Sequence, residues 1–152
     1  MVRVVNERET KQKIVRIILE ALPDWFGIPE AREDYIAKSA DEMMVAAWIQ
    51  DCPVGFLCLK ETGKDTAELE VMGVLQAYHR QGIGRSLFEA AKRVAIDHGY
   101  SFLQVKTVKM GCYEEYDKTN LFYLSLGFKE FEVMPTLWDA WNPCQIYIMS
   151  LK

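Results

Sequence analysis

The pattern of apolar and polar positions switches between a period of two and a period near 3.6, and each switch marks an element. "MVRVV" predicts a short first strand. Asn6 is placed to cap a helix, with Glu9 three residues later, and Ile14, Ile17, Ile18 and Ala21 make its apolar stripe. Two prolines and a glycine in "LPDWFGIPEA" enforce a loop before "EAREDYIAKSA" resumes as a second helix. "MMVAAWI" and "VGFLCLK" predict antiparallel strands joined by a tight turn at "QDCP", and "ETGKDT" turns the chain again into a third strand, "AELEVMGV".

The stretch "YHRQGIGRSL" opens the next helix, whose apolar positions Ile83, Leu87, Ala91 and Val94 recur at helical spacing and whose stop is Gly99. "SFLQVKTV" reads as a buried strand, and "EEYDKTNLFYLSL" as a helix closed by Gly127 with Tyr116, Thr119, Tyr123 and Leu126 on one face. "FKEFEVM" and "CQIYIMSL" are strands around a loop, "PTLWDAWNP". This order predicts one α/β or α+β domain over residues 1–152, built on a mixed sheet, with a right-handed crossover from Ala67 to Val108.

A chain of 152 residues can bury a sizeable core. Its net charge of −4 offers no general attraction to nucleic acid or an anionic membrane, so any polyanion needs a local basic cluster. No long apolar run is present, the first residues lack the apolar segment of a secretion signal, and the expectation is a cytoplasmic protein. Cys52, Cys58, Cys112 and Cys144 lack CxxC spacing and read as free thiols. With two histidines and no HExxH, no metal site is expected.

The glycine-rich stretch carries the chemistry. A Walker A loop is excluded because Arg85 stands where lysine is needed and His79 where glycine is needed. A dinucleotide fingerprint is excluded because its third glycine position is Leu87. Gly82 and Gly84 nevertheless allow a tight turn that presents the amides of Gln81 through Ser86 at a helix start, where the helix dipole favours an anion, and Arg80 and Arg85 add charge. The alternative is a turn whose glycines serve geometry and whose arginines face water.

The segment His79-Arg80-Gln81-Gly82-Ile83-Gly84 resembles the coenzyme A loop of the GNAT acetyltransferase superfamily, [QR]xxGx[GA], with histidine in place of the usual first residue. "ELEVMGV" before it is similar to the central strand of that family, and "FYLSLGF" after it to the FYxxxGF block. The resemblance implies a mixed, mostly antiparallel sheet of about six to seven strands flanked by about four helices. It also implies acetyl transfer from acetyl-CoA to a primary amine, with no metal, by direct attack in a ternary complex.

From the resemblance, Met72, Gly73 and Val74 form a bulged strand end whose amides meet the pantetheine arm and the thioester carbonyl, and residues His79 to Ser86 hold the pyrophosphate. Tyr123 matches the tyrosine that protonates the departing thiolate; a phenol's reference pKa of about 10 lies near a thiol's, about 8.5. Glu70, or Glu68 beside it, is the candidate base, with solvent-side residues of an alternating strand as the other reading. The family's pantetheine-binding asparagine is Tyr116 here, which leaves Thr119 as a substitute, and Asn120 is expected to face elsewhere.

The resemblance places the acceptor against the first two helices and last strands, where Trp25 and Phe26 are candidate substrate contacts and Asp24, Glu30 and Glu33 lie near. Such a wall suits a cationic amine. Trp138 and Trp141 can instead pack a homodimer interface. The competing function is a catalytically silent acyl-CoA sensor.

Overall fold

The computed structural model describes all of residues 1–152. In chain order it contains β1 (Val2–Val5), α1 (Arg8–Glu20), α2 (Pro29–Ser39), β2 (Met43–Ile49), β3 (Cys52–Gly63), β4 (Thr66–Val74), α3 (Ile83–Asp97), β5 (Phe102–Val108), α4 (Glu114–Leu126), β6 (Lys129–Asp139) and β7 (Asn142–Ser150). The strands follow the order β1-β2-β3-β4-β5-β7-β6 in one seven-stranded, mostly antiparallel sheet, so the expected mixed α/β class holds. No helix is long and apolar enough to cross a membrane. The chain divides into two compact units, Met1–Lys60 with Leu69–His98 and Glu61–Glu68 with Gly99–Lys152.

In the first unit the strand pair β2–β3 turns at Gln50 and Asp51, both at positive φ, 51° and 65°. Two such residues give the turn whose twist matches that of the strands it joins. Ile14, Val15, Ile18, Leu19 and Leu22 are 0–3% exposed and pack with Met44, Ala46, Phe56, Cys58 and Val71 into one core. The expected stripe is corrected on one side, because Ile17 is half exposed and Ala21 is exposed, while Val15 and Leu19 point inward. Against a broad sheet the helix buries a wider arc than one row of residues. The expected cap is also displaced: Glu7, not Asn6, precedes the helix, and its carboxylate accepts from Thr10 Oγ1 at 2.8 Å.

In the second unit β7 runs antiparallel between β5 and β6, with Val105 opposite Tyr147 and Val133 opposite Gln145. "PTLWDAWNP" is not the predicted loop. The strands extend to Asp139 and Asn142, and only two residues lie between them. Asp139 makes this possible by accepting from the amides of Trp141 and Asn142, each at 2.8 Å; the Asn142 side chain, donating at 2.9 Å, and then these amides hold its carboxyl below the usual carboxylate range. The edge strand β6 is exposed along its whole length, including Phe131 and Trp138. Helix α4 ends at Gly127, whose φ of 105° is the left-handed conformation glycine favours at a helix end.

Candidate active site

The glycine of strand β4 is explained by close packing. A Cβ on Gly73 would lie 2.9 Å from Ile18 Cγ2 and 3.0 Å from Leu22 Cδ1, so only glycine lets the strand approach α1 this closely. Beyond Val74 the chain bends through a single 3-10 turn, Gln76–Tyr78, after Leu75 N has donated to Val54 O at 2.8 Å. Arg80 then adopts a left-handed φ of 63° and Gly82 one of 81°. These two reversals bring the backbone onto the axis of α3 at its first turn, where Gly82 is the N-cap and Ser86 N donates back to Gly82 O at 3.0 Å.

A helix that begins this way has no internal acceptor for the amides of its first turn. Nothing lies within 4 Å of where a Cβ on Gly82 would stand, and Arg80, Gln81, Arg85 and Ser86 are exposed around it. Exposed amides, a helix dipole and two arginines suit an anion, which is what coenzyme A presents in its pyrophosphate. The residues from His79 to Ser86 therefore fit that group.

The remaining candidates fall into distinct environments. Glu70, mostly buried, holds Lys60 Nζ at 2.6 Å, and Glu68, also buried, holds Lys106 Nζ at 2.6 Å. Each carboxylate thus already has a lysine partner. Trp25 and Phe26 are half-buried against the core around α1; Phe26 meets Tyr35 edge to face at 6.1 Å, and Trp25 meets His79 at 5.9 Å. Thr119 Oγ1 donates to Glu115 O at 3.1 Å along its own helix.

In the second unit Tyr123 is 6% exposed, ringed by Phe122, Phe128 and Tyr147. Asn120, one turn beyond Tyr116 on the same side of α4 and not facing elsewhere as expected, is wholly buried. Its Nδ2 donates to Val108 O at 2.8 Å and Tyr116 O at 2.6 Å, while its Oδ1 accepts from Tyr147 at 2.6 Å. That network fixes α4 to β5 and β7. A lone asparagine in a helix carried too little signal to reveal it.

A second group of buried polar residues also lay outside the sequence reading. Glu42, between α2 and β2, is 8% exposed, and one of its carboxylate oxygens, Oε1, has no hydrogen-bond partner. Burial, with Glu70 as a neighbouring like charge, pushes its carboxyl up to about 7, against the opposing pull of Lys60 and Lys38 and a bond from the Cys58 thiol. Lys11 Nζ donates to the Glu42 carbonyl at 2.7 Å. This cluster sits beside Lys11 near the start of α1, whereas Gly73 packs on Ile18 and Leu22, roughly 10–16 Å further along the helix axis. Glu42 is therefore a buried titrating group beside Glu70.

A mixed sheet whose central strand leads through a glycine turn into the exposed start of a helix defines the class as an α/β domain. The sequence profile of the acetyltransferase (GNAT) family matches residues 11–128, and the chain belongs to that family. Its fold is shared by a GNAT-family acetyltransferase assignment from Desulfovibrio desulfuricans, at a TM-score of 0.84 and 21% identity over 100% of both chains. The ribosomal-protein-S18-alanine N-acetyltransferase of Escherichia coli superposes at 0.79 with 17% identity, over 100% of this chain and 95% of that one. An aminoglycoside 6'-N-acetyltransferase complexed with coenzyme A superposes at 0.74 with 17% identity, over 100% and 97%. No curated protein sequence matches the chain.

Proposed function

We propose that this protein is an acetyl-CoA-dependent N-acetyltransferase acting on a primary amine. The observation that carries the proposal is the loop from His79 to Ser86, whose left-handed Arg80 and Gly82 turn the first amides of α3 outward in a family defined by acetyl transfer. The coenzyme A bound to the aminoglycoside enzyme of the same fold supports it. When bound, acetyl-CoA supplies an acetyl group activated as a thioester.

The chain's own residues then have four tasks. The amides and arginines of the loop hold the pyrophosphate against the α3 dipole. Backbone at Met72, Gly73 and Val74 orients the pantetheine arm and donates to the carbonyl oxygen as negative charge grows there. Glu70, released from Lys60, or a water takes the proton that the ammonium must lose before it attacks. As the amine forms its bond to the acetyl carbon and the carbon–sulfur bond breaks, Tyr123 gives its proton to the departing sulfur. Thr119 borders the pantetheine, and Trp25 and Phe26 form the wall for a cationic acceptor.

Two measurements test the reading. Acetyl-CoA at about 100 times its Kd should raise stability by about 2.7 kcal/mol. Release of free thiol should follow when a panel of primary amines is added, and Tyr123→Phe should slow that release at least tenfold. Stabilisation without thiol release from any amine favours the silent sensor instead, and no stabilisation removes both.

A further inference from the structure

His79 is the position at which the glycine loop leaves the family pattern, and the structure gives it two specific partners. Its Nε2 lies 2.6 Å from the carbonyl oxygen of Val74, the last residue of β4. A carbonyl only accepts, so Nε2 is the nitrogen that carries hydrogen. Its ring also meets Trp25, from the loop between α1 and α2, edge to face at 5.9 Å and 73°.

Each contact reaches a different part of the machinery. The bond to Val74 spans five residues and closes the bend formed by Tyr78 N to Leu75 O, 2.9 Å, and His79 N to Gln76 O, 3.1 Å. It thereby sets where the chain enters the left-handed Arg80 and Gly82. Trp25 lies in the segment that the acceptor wall occupies, anchored by Trp25 N to Leu22 O at 3.2 Å on the same leucine that crowds Gly73.

We infer that His79 is a positioning residue that couples the acceptor wall to the coenzyme loop, holding the end of β4 through Nε2–H and Trp25 through an edge-to-face ring contact. The inference rests on the loop binding acetyl-CoA. Binding free energies are reciprocal, so an acceptor that shifts Trp25 changes the affinity for acetyl-CoA by the same factor that acetyl-CoA changes its own. A glutamine at this position can donate to Val74 but offers no ring to Trp25, which gives the substitution a meaning in this chain.

The test is a double-mutant cycle on the whole chain, reading the Kd of acetyl-CoA by calorimetry. His79→Ala should weaken binding about tenfold, and His79→Gln should recover part of that loss through its amide. Trp25→Leu, a change outside the loop, should weaken binding about fivefold in the parent protein and leave affinity unchanged in the His79→Ala background. Equal effects of Trp25→Leu in both backgrounds, or none in the parent, overturn the coupling. Trp25→Met, which also removes the ring, enters the same cycle if the leucine variant does not fold. A parent chain that fails to bind acetyl-CoA overturns the proposed function along with this inference, whereas tight binding with additive effects overturns the inference alone.

Discussion

Replacing Glu42 by glutamine should make the protein less sensitive to alkali. Glu42 keeps its proton up to about pH 7 in the fold, while the same carboxyl in the unfolded chain releases it near its ordinary 4.5. Between those values the native state binds more protons than the unfolded state, so stability falls as pH rises, by at most about 1.4 kcal/mol per pH unit. The stabilisation is whole below pH 4.5 and is lost as pH passes through 7, a total on the order of 3 kcal/mol. Glutamine has nearly the shape of the protonated acid and cannot ionise beside Glu70. The two proteins should melt alike near pH 5, and at pH 8.5 Glu42→Gln should melt higher by roughly 5–10 °C, given about 2–4 °C per kcal/mol for a chain of this size. Calorimetric scans across that range provide the measurement. Parallel Tm curves for parent and variant would refute the reasoning, because they would mean that Glu42 is ionised in the fold at ordinary cost.

Three other perturbations follow from the packing and the loop. Gly73→Ala places a methyl about 3 Å from Ile18 and Leu22 and should cost about 1–3 kcal/mol, seen as a lower urea midpoint. Tyr147→Phe strips Asn120 Oδ1 of its donor in a fully buried site, at about 1–3 kcal/mol, seen as a lower midpoint with an unchanged urea dependence. Gly82→Ala forces a side chain into a φ of 81°, at roughly 1–2 kcal/mol, and should weaken acetyl-CoA binding about tenfold by calorimetry with only a small fall in Tm.

Elements with strong local signals could be located from the sequence to within a few residues. Helix α4 begins and ends where "EEYDKTNLFYLSL" places it because Gly127 supplies a stop that few other residues can. Helix α3 ends at Asp97, with His98 as its cap and Gly99 just beyond, for the same reason. The glycine loop was legible because its residues must be contiguous to do their work. What escaped depends on partners distant in sequence. Asn120 finds its hydrogen bonds on Val108 and Tyr147, and Glu42 owes its proton to burial and then to Glu70. The hairpin at "PTLWDAWNP" was hidden for a different reason: two prolines and a polar pair suggest a loop, but Asp139 satisfies both amides that the tight turn exposes.

The open flank of β6 sets a condition on keeping the protein dispersed. An outermost strand offers unpaired peptide groups to any extended segment it meets, and this one carries Phe131, Leu137 and Trp138 on show. It also carries Lys129, Glu130, Glu132 and Asp139, with Pro135 in its middle, where it supplies no amide hydrogen. Those charges and that proline act as gatekeepers against runaway strand addition, so neutralising Glu130 and Glu132 together would be felt first as turbidity at high concentration rather than as a lower melting point.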